Sequence, residues 1–189
     1  MIRKSPIFLQ ILDKVISEGA PRESISIQEF PPKKRLLEQD RNTRNVFVIR
    51  SGIGKCFIAE ENGKEYILEF LGEGEILGEI EAIRRTAGMA MVESLTSLCV
   101  FKIEKTYFLQ LLKTDAAFNQ AVLELMATRL ANTAMRASRQ QLYTLSYNLS
   151  QLLKILQQEK IVFTKKDLSG YLGISIRSLN RLLAAAGGV

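Results

Sequence analysis

The run Lys165-Lys166-Asp167-Leu168-Ser169-Gly170-Tyr171-Leu172-Gly173-Ile174-Ser175-Ile176-Arg177-Ser178-Leu179-Asn180-Arg181-Leu182 reads as two short helices joined by a sharp turn. Thr164 stands where it can cap the first helix, with Asp167 three residues on in a weakened capping-box pattern. Leu168 and Leu172 lie one turn apart and form its buried face. Ser169 is small, which lets a second helix cross closely. Gly173 follows at the point where the chain must take a positive φ to turn. Ile174 plugs the corner, Ser175 caps the next helix, and Leu179, Leu182 and Leu183 return to the core. These residue types at these offsets meet the requirement of a helix-turn-helix.

In that arrangement the second helix exposes Ile176, Arg177, Ser178, Asn180 and Arg181. An arginine can fork onto guanine O6 and N7, an asparagine can read adenine, and an isoleucine can meet a thymine methyl. Thr164, Lys165 and Lys166 sit where they can hold phosphates and set register. Ser175, at the start of the second helix, joins the candidate DNA contacts. The expected partner is double-stranded DNA. Charge agrees: residues 129–189 carry nine basic and two acidic residues, whereas residues 1–128 carry 17 basic and 18 acidic. Such segregation is expected of a protein with one end facing a polyanion.

Upstream, residues 25–104 read as β structure. Strand-like runs at Ser26–Phe30, Asn45–Arg50, Lys55–Ala59, Glu65–Phe70 and Ala90–Ile103 are separated by Pro31-Pro32, Ser51-Gly52, Asn62-Gly63 and Gly72-Glu73-Gly74. Asn62-Gly63 is a hairpin signal because both residues tolerate positive φ. Several short strands with regular turns favour an antiparallel barrel. From Glu104 the period becomes helical, and a long helix is expected from about Asp115 to Ser138. Its apolar stripe (Phe118, Val122, Leu125, Met126, Leu130, Thr133, Ala137) is too long for the barrel to cover, and predicts a two-helix homodimer seam. A further amphipathic helix follows over Leu142–Leu156.

The fold class expected is thus α+β. A sensor β-barrel or jelly-roll spans residues 1–114, a dimerisation helix 115–141, and a helix-turn-helix domain 142–189. The chain has no histidine, which removes His-ligated zinc and haem, Ser-His-Asp triads and histidine bases together. Two separated cysteines, Cys56 and Cys99, supply no iron–sulfur ligand set and read as buried thiols of a reducing compartment. No apolar run approaches the ~18 residues of a membrane span, and Met1–Leu12 reads as a short amphipathic helix, not a signal peptide. A cytoplasmic protein without membrane contact, and no enzyme, is expected.

The whole chain resembles the Crp/Fnr family of transcription regulators. The resemblance rests on Phe47-Val48-Ile49-Arg50-Ser51-Gly52, on Phe70-Leu71-Gly72-Glu73-Gly74-Glu75-Ile76-Leu77-Gly78-Glu79, on Val92–Val100, on Arg129-Leu130-Ala131-Asn132-Thr133, and on the helix-turn-helix, in that order. It implies a bacterial homodimer on a two-fold operator, with a ligand in a cyclic-nucleotide-binding-like barrel controlling the DNA-binding domains. RNA polymerase becomes a further partner where such a protein activates. In cyclic-AMP-binding members the Gly-Glu glutamate takes the ribose hydroxyl, and an Arg-Ser pair holds the cyclic phosphate. Gly78 and Glu79 match the first feature. Gly88 and Met89 stand where the Arg-Ser pair would, with Arg84 and Arg85 nearby and Met91 following on the strand. Thr133 matches a helix position that reads the adenine, beside Ala134 in place of serine. Cyclic nucleotide is therefore disfavoured as effector and no cofactor is assigned.

The chain closes as Ala-Ala-Ala-Gly-Gly-Val after Leu183, where family members continue into a β-hairpin wing. Either the chain is truncated or the wing is lost, and lower DNA affinity with a poorly ordered C-terminus is expected. Two rival readings remain. One is a ligand-binding regulatory module acting through protein contacts with a vestigial DNA-binding domain. The other, an enzyme on a cupin-like barrel, is opposed by the absence of histidine.

Overall fold

The computed structural model describes residues 2–159 and 163–185. Nine strands come first in the chain, interrupted by helices: β1 (Ile2–Arg3), α1 (Pro6–Ser17), β2 (Ile25–Phe30), β3 (Arg35–Leu37), β4 (Asn45–Ser51), β5 (Gly54–Ala59), β6 (Glu65–Leu71), β7 (Ile76–Leu77), α2 (Glu79–Arg84), β8 (Met91–Ser94) and β9 (Leu98–Glu104). Helices α3 (Lys105–Thr114), α4 (Ala116–Leu142), α5 (Leu145–Glu159), α6 (Lys165–Leu172) and α7 (Ile176–Ala185) complete it. The strands form two sheets, ordered β1-β6-β5-β8-β3 and β2-β9-β4-β7. The expected run Ala90–Ile103 is divided: β8 pairs in the first sheet and β9 in the second, with residues 95–97 turning between them. The barrel is also not wholly antiparallel, because β1 lies parallel to β6, Ile2 facing Phe70.

In β4, Val46, Phe47, Val48 and Ile49 are all buried. Phe47 and Ile49 face the other sheet with Leu71, Leu98 and Val100. Val46 and Val48 face the opposite way, under Phe8, Phe108 and Phe118 of α1, α3 and α4. A strand covered on both faces loses the alternation of a half-exposed one. Gly52 turns β4 into β5 at φ +93°, and a Cβ there would sit 2.1 Å from the Ser97 carbonyl oxygen, so only glycine fits. In the next hairpin only Gly63 takes positive φ; the Asn62 side chain instead accepts the Lys64 N–H at 3.0 Å.

The long helix begins where Asp115 accepts the N–H groups of Ala117 and Phe118, both at 3.0 Å. Its first half packs on the barrel through Phe118, Ala121, Val122 and Leu125. Its second half touches the barrel through polar side chains, Arg136 and Gln140, and leaves Leu130 74% exposed. The first sheet's outer face carries the C-terminal helices. There Phe70 meets Phe163 at 4.3 Å and stacks on Tyr171 at 5.3 Å between centroids. Both cysteines are free and half-buried rather than fully buried. Among the described residues no helix is long and apolar enough to cross a membrane. The expectation for the C-terminal end falls on residues 186–189, outside the described ones.

Phe118 has no exposure and lies 5.2 Å from the Phe8 ring and 5.7 Å from the Phe108 ring. Phe118→Ala is expected to lower unfolding free energy by about 3–5 kcal/mol in a urea titration.

Candidate DNA-binding unit and sensor cavity

The helix-turn-helix forms as the local chemistry requires. Thr164 accepts the Asp167 N–H at 3.1 Å and the Asp167 carboxylate accepts the Thr164 N–H at 3.2 Å, a complete capping box. Gly173 ends α6 at φ +68°. Ser175 opens α7 by accepting the Ser178 N–H at 3.1 Å. Leu168 and Leu179 close the core with Leu149, Leu152 and Leu156 of α5.

On α7 the side chains of Ile176, Arg177, Asn180 and Arg181 are exposed while Leu179 is fully covered. Ser178 is half-buried and shares a hydrogen bond with Ser175. Thr164, Ser175 and Ser178 thus commit their hydroxyls within the unit. Lys165 donates to the Asn180 side chain at 2.9 Å and Lys166 to Glu65 of β6 at 2.8 Å.

The sequence did not show that this unit is docked on its own barrel. Lys55 of β5 is buried and pairs with Asp167 at 2.9 Å and Glu93 at 3.4 Å. Gly170 lets α6 lie against β6, since a Cβ there would meet Ile67 at 3.3 Å. Arg136 of α4 bridges the two bodies. Its guanidinium donates to the carbonyls of Leu68, Ile67 (2.9 Å) and Tyr171 (2.7 Å), and lies 3.9 Å from the Tyr171 ring centroid. Burial opposes the Asp167 charge, but hydrogen bonds from Thr164 and Lys55 and the Lys55 charge outweigh it and hold its carboxyl below the ordinary range. Burial likewise opposes the Lys55 charge, and Asp167 and Glu93 more than compensate, raising its pKa.

Between β6, α2, β8 and α4 lies a cavity of about 510 Å³. Of the residues expected at a ligand pocket, Gly78, Glu79, Met89 and Thr133 line this cavity; Arg84, Arg85 and Met91 do not, and both arginines are exposed. Arg129, which entered the sequence reading only as part of a helix match and of a basic segment, reaches in from α4. It pairs with Glu79, with Glu75 at 2.7 Å, and donates to the Ile76 carbonyl at 2.6 Å. Burial disfavours its charge, but the Glu79 and Glu75 carboxylates prevail and raise its pKa. Arg3 pairs with Glu69 at the same wall. Cys56 also lines it, its thiol pushed up to about 12 by burial, and hence an inert thiol at neutral pH. Arg129 and Arg136, counted above as part of a polyanion-facing end, are therefore turned into the barrel. Among the described residues, no group of three or more Cys, Asp or Glu is placed to hold a metal ion.

The cyclic nucleotide-binding domain family model matches residues 27–115. The cAMP-activated global transcriptional regulator CRP of Salmonella typhimurium is 24% identical over 168 residues, covering 83% of this chain and 80% of that protein. The fumarate and nitrate reduction regulatory protein of Vibrio cholerae is 24% identical over 189 residues, covering 93% and 71%. Among solved structures, the c-di-GMP-responsive global regulator CLP of Xanthomonas campestris superposes with a TM-score of 0.76 at 18% identity, covering 87% of each chain. A Crp/Fnr-family regulator of Eubacterium rectale gives 0.76 at 17%, covering 96% of this chain and 86% of that one.

The pH dependence of docking follows from the Lys55–Asp167 pair. The Asp167 contribution is full above the ordinary aspartate pKa of about 3.9 and is lost as pH falls through its lowered value. The Lys55 contribution is full below about 10.4 and is lost as pH rises through its raised value. At neutral pH, Lys55→Met is expected to weaken docking by up to about 3–5 kcal/mol. Hydrogen exchange would read this as faster exchange of α6 amides with unchanged barrel protection. Unchanged α6 exchange would show that docking does not depend on the pair.

A cyclic nucleotide-binding domain matched over residues 27–115, followed by a long helix and a helix-turn-helix, makes the chain similar along most of its length to regulators of the Crp/Fnr type.

Proposed function

We propose that this protein is a sequence-specific DNA-binding transcription regulator that works as a homodimer and receives its signal in the cavity beside α4. The exposed face of α7 carries the proposal: Ile176, Arg177, Asn180 and Arg181 point away from a fully covered Leu179, a base-reading set on a rigid helix. The relatives, named as transcription regulators, support it. Lys165 and Lys166 supply phosphate contacts by exchanging Asn180 and Glu65 for the DNA backbone.

The dimer seam is the exposed face of α4, whose Leu130 and Ala137 also border the cavity. Leu123, Leu130 and Ala137 recur every seven residues and are exposed, with the small Ala127 and Ala134 between them. That is a heptad pattern suited to a second copy of the same helix. Signal and DNA binding meet at Arg136, which lines the cavity and holds the Tyr171 carbonyl of α6. An occupant that moves Arg136 therefore alters how the helix-turn-helix is held.

Titration against a library of DNA duplexes by fluorescence anisotropy, over a salt series, tests the function. Selective binding should weaken as salt rises. Arg177→Ala and Arg181→Ala should each reduce it by about 1–3 kcal/mol while leaving random-sequence binding less affected. Absence of selective binding at any salt would leave a regulatory module acting through protein contacts. Leu130→Glu should convert the dimer to monomer in sedimentation equilibrium, with the barrel still folded by circular dichroism.

A further inference from the structure

We infer that the cavity beside α4 takes a neutral, predominantly apolar small molecule and not a cyclic nucleotide or other phosphate ester. This rests on reading the cavity as the signal site. Its volume, about 510 Å³, suits a small organic ligand. Its walls are Leu37, Leu68, Leu71 and Val92 from the barrel and Met126 and Leu130 from α4.

Most of the charged groups in these walls already have partners, although Arg3 Nε and Arg136 Nε are buried without a hydrogen bond. Arg129 is held by Glu75, Glu79 and the Ile76 carbonyl, and Arg3 by Glu69. Arg136 is held by three backbone carbonyls. A phosphate that took any of these arginines would leave a buried carboxylate, or a row of carbonyls, without its partner. The local balance also opposes an anion: Glu69, Glu75, Glu79 and Glu81 face Arg3, Arg129 and Arg136, and the Glu81 carboxylate accepts the Met89 backbone N–H at 3.0 Å. Glu79, which would have to receive a ribose hydroxyl, is taken by the chain's own guanidinium. The neutral polar groups at the α4 wall are the Thr133 hydroxyl, which accepts a long 3.4 Å bond from Arg3, and the Gln140 amide, paired with the Tyr66 hydroxyl at 3.1 Å, and a ligand would share or replace these bonds. Met89, 47% exposed at the mouth, gives that edge an adaptable apolar side chain.

The methionines make the test specific. Met89 and Met126 line the cavity, whereas Met91 and Met135 do not. Protein labelled with ¹³C at the methionine methyls is titrated with N-phenyl-1-naphthylamine, a neutral apolar fluorophore, and separately with cyclic AMP, cyclic GMP and cyclic di-GMP. The expected result is saturable fluorescence enhancement near one probe per chain, with shifts at the Met89 and Met126 methyls and little change at Met91 and Met135. Ala90→Trp, which fills the cavity, or Leu68→Trp should weaken the probe roughly tenfold or more. Ile27→Glu, exposed on β2 and away from the cavity, should not. The cyclic nucleotides should give no shifts. Saturable micromolar binding of any cyclic nucleotide would overturn the inference, as would a probe that fails to saturate or leaves Met89 and Met126 unshifted. None of these readouts involves DNA, so a failure here is separable from a failure of the DNA-binding proposal.

Discussion

Arg129 holds the molecule together at its least tolerant point. A guanidinium on α4 sits between two almost fully buried carboxylates, Glu75 and Glu79, and also satisfies the Ile76 carbonyl. Burying three charges is unfavourable unless each is matched, and here the fork of the arginine meets all of its acceptors at once. The long helix is thereby fixed in height and rotation against β7 and α2. Everything carried farther along α4, from the cavity wall at Thr133 to Arg136, inherits that position.

One turn of α4 separates Thr133 from Arg136, so a single helix face serves two purposes. Part of it walls a cavity; part of it clasps the carbonyls of β6 and α6. A rigid element sharing both contacts couples them without any intermediary. The docked arrangement adds a second tie, since Asp167 completes the α6 capping box and also neutralises the buried Lys55. The residue that completes the cap of the first helix of the helix-turn-helix is therefore also one that fastens it to the barrel.

This double use alters the meaning of the basic C-terminal third. Its surplus of positive charge is real, but two of its arginines are internal struts and one of its lysines is engaged by Glu65. Of the rest, Lys165, Arg177 and Arg181 stand exposed on the helix-turn-helix, and Arg139 and Lys154 are exposed outside it. A smaller, better-placed positive patch suits groove recognition more than a diffuse basic surface does.

Local chemistry made much of this legible beforehand. Caps, turn glycines and apolar spacing act within a few residues, so Thr164, Asp167, Gly173 and Ser175 announced the helix-turn-helix, and Asp115 the start of α4. Strand runs were visible for the same reason, although β1, β3 and β7 are too short to show a period. The family likeness placed Glu79 in a cavity; it could not say that Arg129, fifty residues away, already held it. Nor could any pattern link Lys55 to Asp167 across 112 positions, or show that Gly170 is small because β6 lies against it. The sequence by itself determined the longer elements, their order and the exposed face of α7, because those depend on neighbouring residues. Tertiary structure alone decided which charges are consumed inside and where the DNA-binding unit rests, because those depend on pairings between groups that only the fold brings together.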